Sequence, residues 1–403
     1  MTETSTLHRI LDYSARADPY PLYAELRKTP VALQEDGSYV ISTYREITDI
    51  LHNPHLSSDA RNLSRPTPAA EKRDTPSFIT IDPPEHDRLR RLAMRHFGPP
   101  CTPGLVTGMQ PNLTEIVSSL IDDFANTQLI DIVDDFAYPF PVTVICQLLG
   151  VPREDEPRFH QWVNAVIDSL DYNPKTDPPE KMNHGMQATK DMHQYLGGLL
   201  EPRHGRPGDD LLSRLANDDG NGPDGRMTDK EIISTAHLLL IAGHETTVNL
   251  ITNGMLTLLR HPHVLQRLRD EPDLIVRLVE ELLRYEPPVH IIPWRAAYSD
   301  ITIADTVIPK GSQIMLMLAS GSRDPDRFDD PDRFDPDRQD NQHLGFGSGI
   351  HLCFGGPLAR LETQIALSEL VRRLDRPRLV TDPPPYRPSP VLRGPIHLRI
   401  ERS

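Results

Sequence analysis

The stretch from Thr228 to Pro262 most constrains how this chain can fold. Thr228-Asp229-Lys230-Glu231 places a hydroxyl residue three positions before a glutamate, the signature of a capping box at a helix start. An apolar pattern then runs without a proline to Leu259, where Arg260-His261-Pro262 stops it. A helix over 229–260 would be roughly 48 Å long at about 1.5 Å per residue, far beyond the common three turns. It has to cross the whole molecule. Strands are expected only around Val31 to Leu33 and Tyr39 to Ser42, joined by an Asp36-Gly37 turn, over Ile301 to Met317, and at Ile396 to Ile400. Most of the remainder has helical period, so the expected fold is mainly α with a small β region built around one long central helix.

Composition narrows the function classes. With 403 residues, 37% hydrophobic and 25% charged, the chain can bury a substantial core and is not a disordered tail. Its 40 prolines imply many helix stops. The Pro/Gly-rich stretches near 173–180, 202–208 and 218–225 read as loops, so one domain over 1–403 is expected. A net charge of −15 argues against nucleic acid as a partner, because phosphate neutralisation needs clustered Lys and Arg. The first 20 residues include Glu3, Arg9, Asp12, Arg16 and Asp18, which a signal peptide or membrane anchor would exclude. Cys101, Cys146 and Cys353 are odd in number and far apart, which fits a reducing cytoplasm better than a disulfide framework. Cys101 and Cys146 read as buried structural thiols.

Cys353 is different. It sits in Phe346-Gly347-Ser348-Gly349-Ile350-His351-Leu352-Cys353-Phe354-Gly355-Gly356-Pro357, with an apolar helical pattern continuing through Leu361, Ile365, Leu367 and Leu370. Glycines admit positive φ and let backbone approach a flat ligand, and Pro357 lies where a helix would begin. A cysteine just before a helix N-terminus has unpaired N–H groups and the positive dipole end to favour the thiolate that ligates metal. One thiolate in a glycine-rich loop suits an axial iron ligand. Zinc would want four N or S ligands where only His351 and Cys353 cluster, and a Cys-His hydrolase would lack an orienting third group.

This loop resembles the haem-binding signature of the cytochrome P450 superfamily of haem-thiolate monooxygenases, in its bacterial form. The resemblance covers nearly the whole chain and implies the P450 fold, haem b with Cys353 as thiolate ligand, and Phe346, Gly347, Gly355, Ala242 and Gly243 against the cofactor. Ala242-Gly243-His244-Glu245-Thr246-Thr247 is similar to the family's oxygen-activation segment; there Thr246 would hydrogen-bond dioxygen or its water and Glu245 would take part in proton delivery. The residues agree in kind, since a Gly, an acid and two hydroxyls interrupt an apolar stripe in mid-helix. Glu281-Leu282-Leu283-Arg284 matches the Glu-x-x-Arg motif, a scaffold pair that Arg333 would join. Glu85 to Arg88 and Glu369 to Arg372 share that spacing, but only the Glu281 copy lies between the long helix and the Cys loop. Two propionates need cationic partners. His86 and Arg90, at i,i+4 on a helix that Asp82-Pro83-Pro84-Glu85 would cap, Arg295 ahead of a strand, and His351 match those positions.

The resemblance further implies O2 as co-substrate and electrons from NAD(P)H, relayed by a ferredoxin or flavodoxin docked on a basic surface of Arg88, Arg91 and Arg95; a monomer is expected. Substrate-pocket candidates are Leu239, Val289, Ile291, Ile292 and Val391, with the loops 55–78 and 162–193, mostly apolar positions that favour a hydrophobic, mid-sized organic molecule. A peroxide-driven enzyme and a non-catalytic haem sensor on the same fold are the alternatives. Glu245 and Thr246 disfavour the first, because peroxide-committed members commonly lack that pair. Two departures from the family pattern, Ser320-Gly321-Ser322-Arg323-Asp324-Pro325 and Gly356, remove no functional group.

Overall fold

A computed structural model describes residues 5–65, 77–97, 103–124, 127–170 and 177–402. The long helix spans Asp229–Arg260, 32 residues. Both halves of its capping box form: the Thr228 N–H donates to Glu231 Oε2 at 2.7 Å and the Glu231 N–H to Thr228 Oγ1 at 3.4 Å. Pro262 stops it and opens the next helix, Pro262–Asp270. Every residue from Thr247 to Leu258 is buried, so this half of the helix is enclosed on all faces. The helices Pro139–Leu149, Pro179–Leu200 and Gly356–Arg373 pack along it, and their apolar faces form the largest hydrophobic cluster. Within the described residues, Ile132–Leu149 is long and apolar enough to cross a membrane, and 67% of it is buried against this core.

Three small sheets flank the helices. The largest has the order β1-β2-β8-β5-β3, formed by Val31–Leu33, Tyr39–Ile41, Gln313–Leu316, Ile292–Ala297 and Leu56–Ser57; β2 and β8 are parallel and the other pairs antiparallel. β4 (Leu129–Asp131), β10 (Arg399–Glu401) and β9 (Arg378–Leu379) make the second, and the hairpin β6 (Ile301–Ile303) and β7 (Thr306–Ile308) the third. The last strand starts three residues later than expected. Asp131 is the reason: its carboxylate accepts the Leu398 N–H at 3.0 Å and pairs with His397, so the ladder begins beyond them. Arg295 lies within β5 and not ahead of it.

The helix bearing His86 and Arg90 is Glu85–Phe97, but Asp82 does not cap it. Its carboxylate reaches across to Ser57 Oγ at 2.5 Å and the Ser58 N–H at 2.8 Å, while Glu85 pairs with Arg88. A tertiary partner for the aspartate displaces the local motif.

Candidate active site

The Cys353 loop folds back on itself. The Cys353 N–H donates to Phe346 O at 3.0 Å, and the helix Gly356–Arg373 starts three residues on with Pro357 in its first turn. Burial pushes the Cys353 thiol up, opposed by the backbone N–H groups of Gly355 and Gly356 and by Arg90 and Arg360. The helix N-terminus alone therefore does not ionise the sulfur; a bound metal cation would supply the remainder. Cys146, by contrast, is buried, and burial raises its thiol far out of the reactive range. Cys101 lies outside the described residues.

Cys353 faces a cavity of about 340 Å³. Phe346, Gly347 and Gly355 line it from the loop side, and Leu239, Ala242, Gly243, Thr246 and Thr247 from the long helix. Gly347 has φ +69°, and a Cβ built on either Gly347 or Gly355 meets no protein atom within 4 Å. These glycines keep clear a space that no described side chain fills. Phe354 closes one wall, stacked on Phe97 with ring centroids 4.5 Å apart.

The cationic candidates converge on this cavity from three elements. Arg90, Arg295 and His351 all line it, and the His86 and His351 rings stand edge to face at 4.5 Å. His351 Nε2 is 2.9 Å from Ser58 Oγ, yet its Nδ1 is buried without a partner, as are His86 Nε2 and Arg295 Nε. Burial, with His86, Arg295 and Arg90 beside it, drives His351 down to about 3; burial brings Arg295 down to about 10. Buried nitrogens left without partners around one space call for a ligand with acceptor oxygens, and the charges of Arg90 and Arg295 favour an anionic one. The two carboxylates of haem b would give these nitrogens partners, and Cys353 lies beside a glycine-lined space, so the residues fit the group.

On the long helix, Thr246 Oγ1 bonds the Ala242 carbonyl at 2.6 Å on the cavity wall. Glu245 points elsewhere. It is 1% exposed, ion-paired to Arg387 at 2.5 Å and bonded by Asn249 Nδ2 at 3.0 Å. A second acid, Glu362, does line the cavity, held protonated by burial although the Thr247 hydroxyl opposes the shift. Neither Arg387 nor Glu362 stands in a motif, and both were missed.

The pair Glu281 and Arg284 is fully buried and doubly bonded at 2.7 and 2.8 Å. Arg284 also donates to the carbonyls of Ser322, Pro331 and Arg333, and Glu281 accepts the Asp335 N–H. Arg333 joins through its backbone alone; its side chain is exposed and pairs with Asp335. The arginine at Glu281 is Arg338, at 3.5 Å, which the turn after Pro331 brings inward.

Of the pocket candidates, Leu239, Val289 and Ile292 line the cavity. Ile291 and Val391 do not: Ile291 is buried in a separate cluster with Met317 and Ala319, against which Val391 packs. Residues 66–76 and 171–176 of the pocket loops lie outside the described residues. The three arginines expected to form a basic surface are each ion-paired. Arg88 pairs with Glu85 and Glu231, Arg91 with Asp224, and Arg95 with Asp218, so acids from the 218–231 segment neutralise all three.

The family model for cytochrome P450 matches residues 30–400. The chain is 39% identical to the cytochrome P450 monooxygenase PikC of Streptomyces venezuelae, covering 94% of this chain and 89% of the relative. It is 37% identical to the vitamin D(3) 25-hydroxylase of Pseudonocardia autotrophica over 98% and 96% of the two. Among solved structures, ligand-free CYP164A2 of Mycobacterium smegmatis superposes with a TM-score of 0.87 at 39% identity, covering 98% and 99%. The chain belongs to the cytochrome P450 family and has its mainly helical fold, and its class is that of haem-thiolate monooxygenases.

Burial also makes stability depend on pH. It lowers His244 to about 3 and holds His160, His193 and His290 below the ordinary range. The unfolded chain takes up these protons at about pH 6.5 while the folded chain does not. Stability is therefore complete above about pH 6.5 and falls as pH is lowered through it. Urea midpoints at about pH 7.5 and 5.5 should show the drop, and His244→Gln should flatten it; equal midpoints would refute the assignment.

Proposed function

We propose that the protein inserts one oxygen atom from O2 into a C–H or C=C bond of an apolar, mid-sized molecule such as a terpenoid, steroid, polyketide or fatty acid. The observation that carries this reading is Thr246 on the wall of an apolar cavity whose floor is Cys353. Haem, once bound, supplies the binding and activation of dioxygen. Cys353 would hold the iron, with Phe346, Gly347, Gly355, Ala242 and Gly243 against the ring, and His86, Arg90, Arg295 and His351 would hold the propionates. Leu239, Val289 and Ile292 exclude water and seat the substrate. Thr246 Oγ1, now donating to Ala242 O, would turn to hold a proton in the cavity, and Glu245 would resupply it. Glu281 and Arg284 anchor the loop before Cys353 without touching the chemistry.

Electrons would come from NAD(P)H through a ferredoxin or flavodoxin, with the protein a cytoplasmic monomer. A vitamin D(3) hydroxylase among the relatives supports a bulky apolar substrate. The test is isotopic: with 18O2, NADPH and a ferredoxin system, product found by spin-shift screening should carry one labelled oxygen. Unlabelled product, or product formed only with added peroxide, would overturn the reading. Thr246→Ala should keep haem and substrate binding yet lower product per NADPH about tenfold or more, with peroxide released instead. Product yield unchanged in that variant would remove Thr246 from the proton path.

A further inference from the structure

Against the Cys353 loop lies a second set of charges that neither the oxygen chemistry nor the Glu281 and Arg284 scaffold uses. The helix Ile275–Tyr285 carries two adjacent glutamates with different partners. Glu281 is sealed against Arg284, whereas Glu280 reaches the loop: its Oε1 accepts the Arg360 Nε–H at 2.6 Å and its Oε2 the Nη2–H at 3.0 Å. That two-pronged grip lays the guanidinium over the Phe346 ring, 4.5 Å from its centre. Phe346 lines the cavity, and its carbonyl accepts the Cys353 N–H at 3.0 Å. The cation also approaches the turn after the sulfur, since a Cβ on Gly356 would stand 3.4 Å from Arg360 Nη1. His343 completes the set. Its Nδ1 accepts the Gly345 N–H at 3.1 Å, so its Nε2, 3.1 Å from Glu280 Oε2, is the donor. Against burial, which raises it, His343 and Arg360 draw the Glu280 carboxyl down to about 2, so the acid is ionised. Arg360 is among the groups that oppose the burial-driven rise of the Cys353 thiol.

We infer that Glu280 is a positioning residue that fixes the Arg360 cation against Phe346 and masks part of its charge, and so sets the reduction potential of the iron that Cys353 would hold. This rests on the reading of Cys353 as the axial ligand. Reduction adds one electron to a metal–thiolate unit, which becomes more negative by one charge. A nearby cation favours that state and a nearby anion opposes it. The guanidinium touches Phe346 and approaches Gly356, while the carboxylate meets the loop through Arg360 and His343, so the cation is the nearer charge. Loss of Glu280 therefore unmasks the cation, loss of Arg360 leaves a bare carboxylate, and loss of both restores neutrality. A contact that merely stiffened the loop would move the potential the same way whichever partner was removed.

Spectroelectrochemical titration of the haem-loaded, substrate-free protein tests this with Glu280→Gln, Arg360→Gln, Arg360→Lys and the double variant Glu280→Gln/Arg360→Gln. Glu280→Gln should shift the ferric–ferrous equilibrium about threefold toward ferrous, or about 30 mV for one electron, and Arg360→Gln about threefold toward ferric. Both side chains are about one-third exposed, so the shifts should shrink as salt is raised. The double variant should return close to the parent, and Arg360→Lys, which keeps the charge without the fork, should lie between the parent and Arg360→Gln. Glu369→Gln removes an equal charge from the far part of the helix that carries Arg360 and should leave the potential unchanged. Should Arg360→Gln fail to take up haem, the rise in Glu280→Gln beside an unmoved Glu369→Gln decides the matter. Shifts of one sign in both single variants, or an unmoved Glu280→Gln that keeps the red-shifted Soret band of its carbon-monoxide form, overturn the clamp and leave Cys353 as ligand. A parent without that band overturns the ligand reading and the clamp with it.

Discussion

Cys353→Ala should yield a folded protein whose reduced, carbon-monoxide-treated form lacks the red-shifted Soret band of a thiolate-ligated haem. The effect is all or none because the cavity offers no second soft ligand. Among the described residues Cys353 is the only sulfur residue on its wall, and burial raises that thiol, so a bound metal would have to draw the proton off. The fold should survive, since the loop is held by the Cys353 N–H to Phe346 O bond, which alanine retains. Absorption spectroscopy of the reconstituted variant beside the parent decides it. A retained thiolate band in Cys353→Ala, or a parent that takes up no haem, would remove the central assignment.

Glu281→Ala or Arg284→Ala should be the most destabilising single substitution in the scaffold, by about 3–5 kcal/mol. Neither side chain has measurable exposure, so removing one partner leaves a charge that water cannot reach. Arg284 has a second duty, because it satisfies the carbonyls of Ser322, Pro331 and Arg333 and so closes the segment leading to the Cys loop. That Ser322 belongs to the stretch that departs from the family pattern is of no consequence here, since the contact is through its backbone. Against a total stability of about 5–15 kcal/mol the loss is large enough to empty the folded state during expression. The same spacing on the surface provides the control. Glu369 and Arg372 are paired but more accessible, and Glu369→Ala should cost about 0–1 kcal/mol. Equal urea midpoints for Glu281→Ala and Glu369→Ala would refute the argument.

The two pairs show where sequence reasoning works and where it stops. Glu281 and Glu369 sit in the same four-residue pattern, and only their order relative to the long helix and the Cys loop separated them. Motifs made of near neighbours were legible because their physics is local. A capping box at Thr228 needs only the next three residues, and the Gly347 to Pro357 run needs only its own backbone. His86, Arg90, Arg295 and His351 were found through a family pattern, and the structure adds the reason: three orphaned buried donors around one space.

Residues whose roles depend on distant chain were invisible. Asp82 resembles a helix cap until Ser57 and Ser58 arrive beside it. Arg333 and Arg338 look interchangeable in sequence, and the turn after Pro331 selects Arg338 for Glu281. Arg88, Arg91 and Arg95 form a basic stripe on their own helix, but acids that neutralise all three lie more than 120 positions away. Arg387 meets Glu245 from 142 positions further along the chain, with no periodicity to announce it. The central helix, the cysteine proposed as ligand and its glycine-rich loop could be read from the chain alone, because hydrophobic period, caps and glycine backbone freedom act over a few residues. Tertiary structure alone decided which charges meet, since a buried ion needs a partner and only the folded chain chooses which one comes within reach.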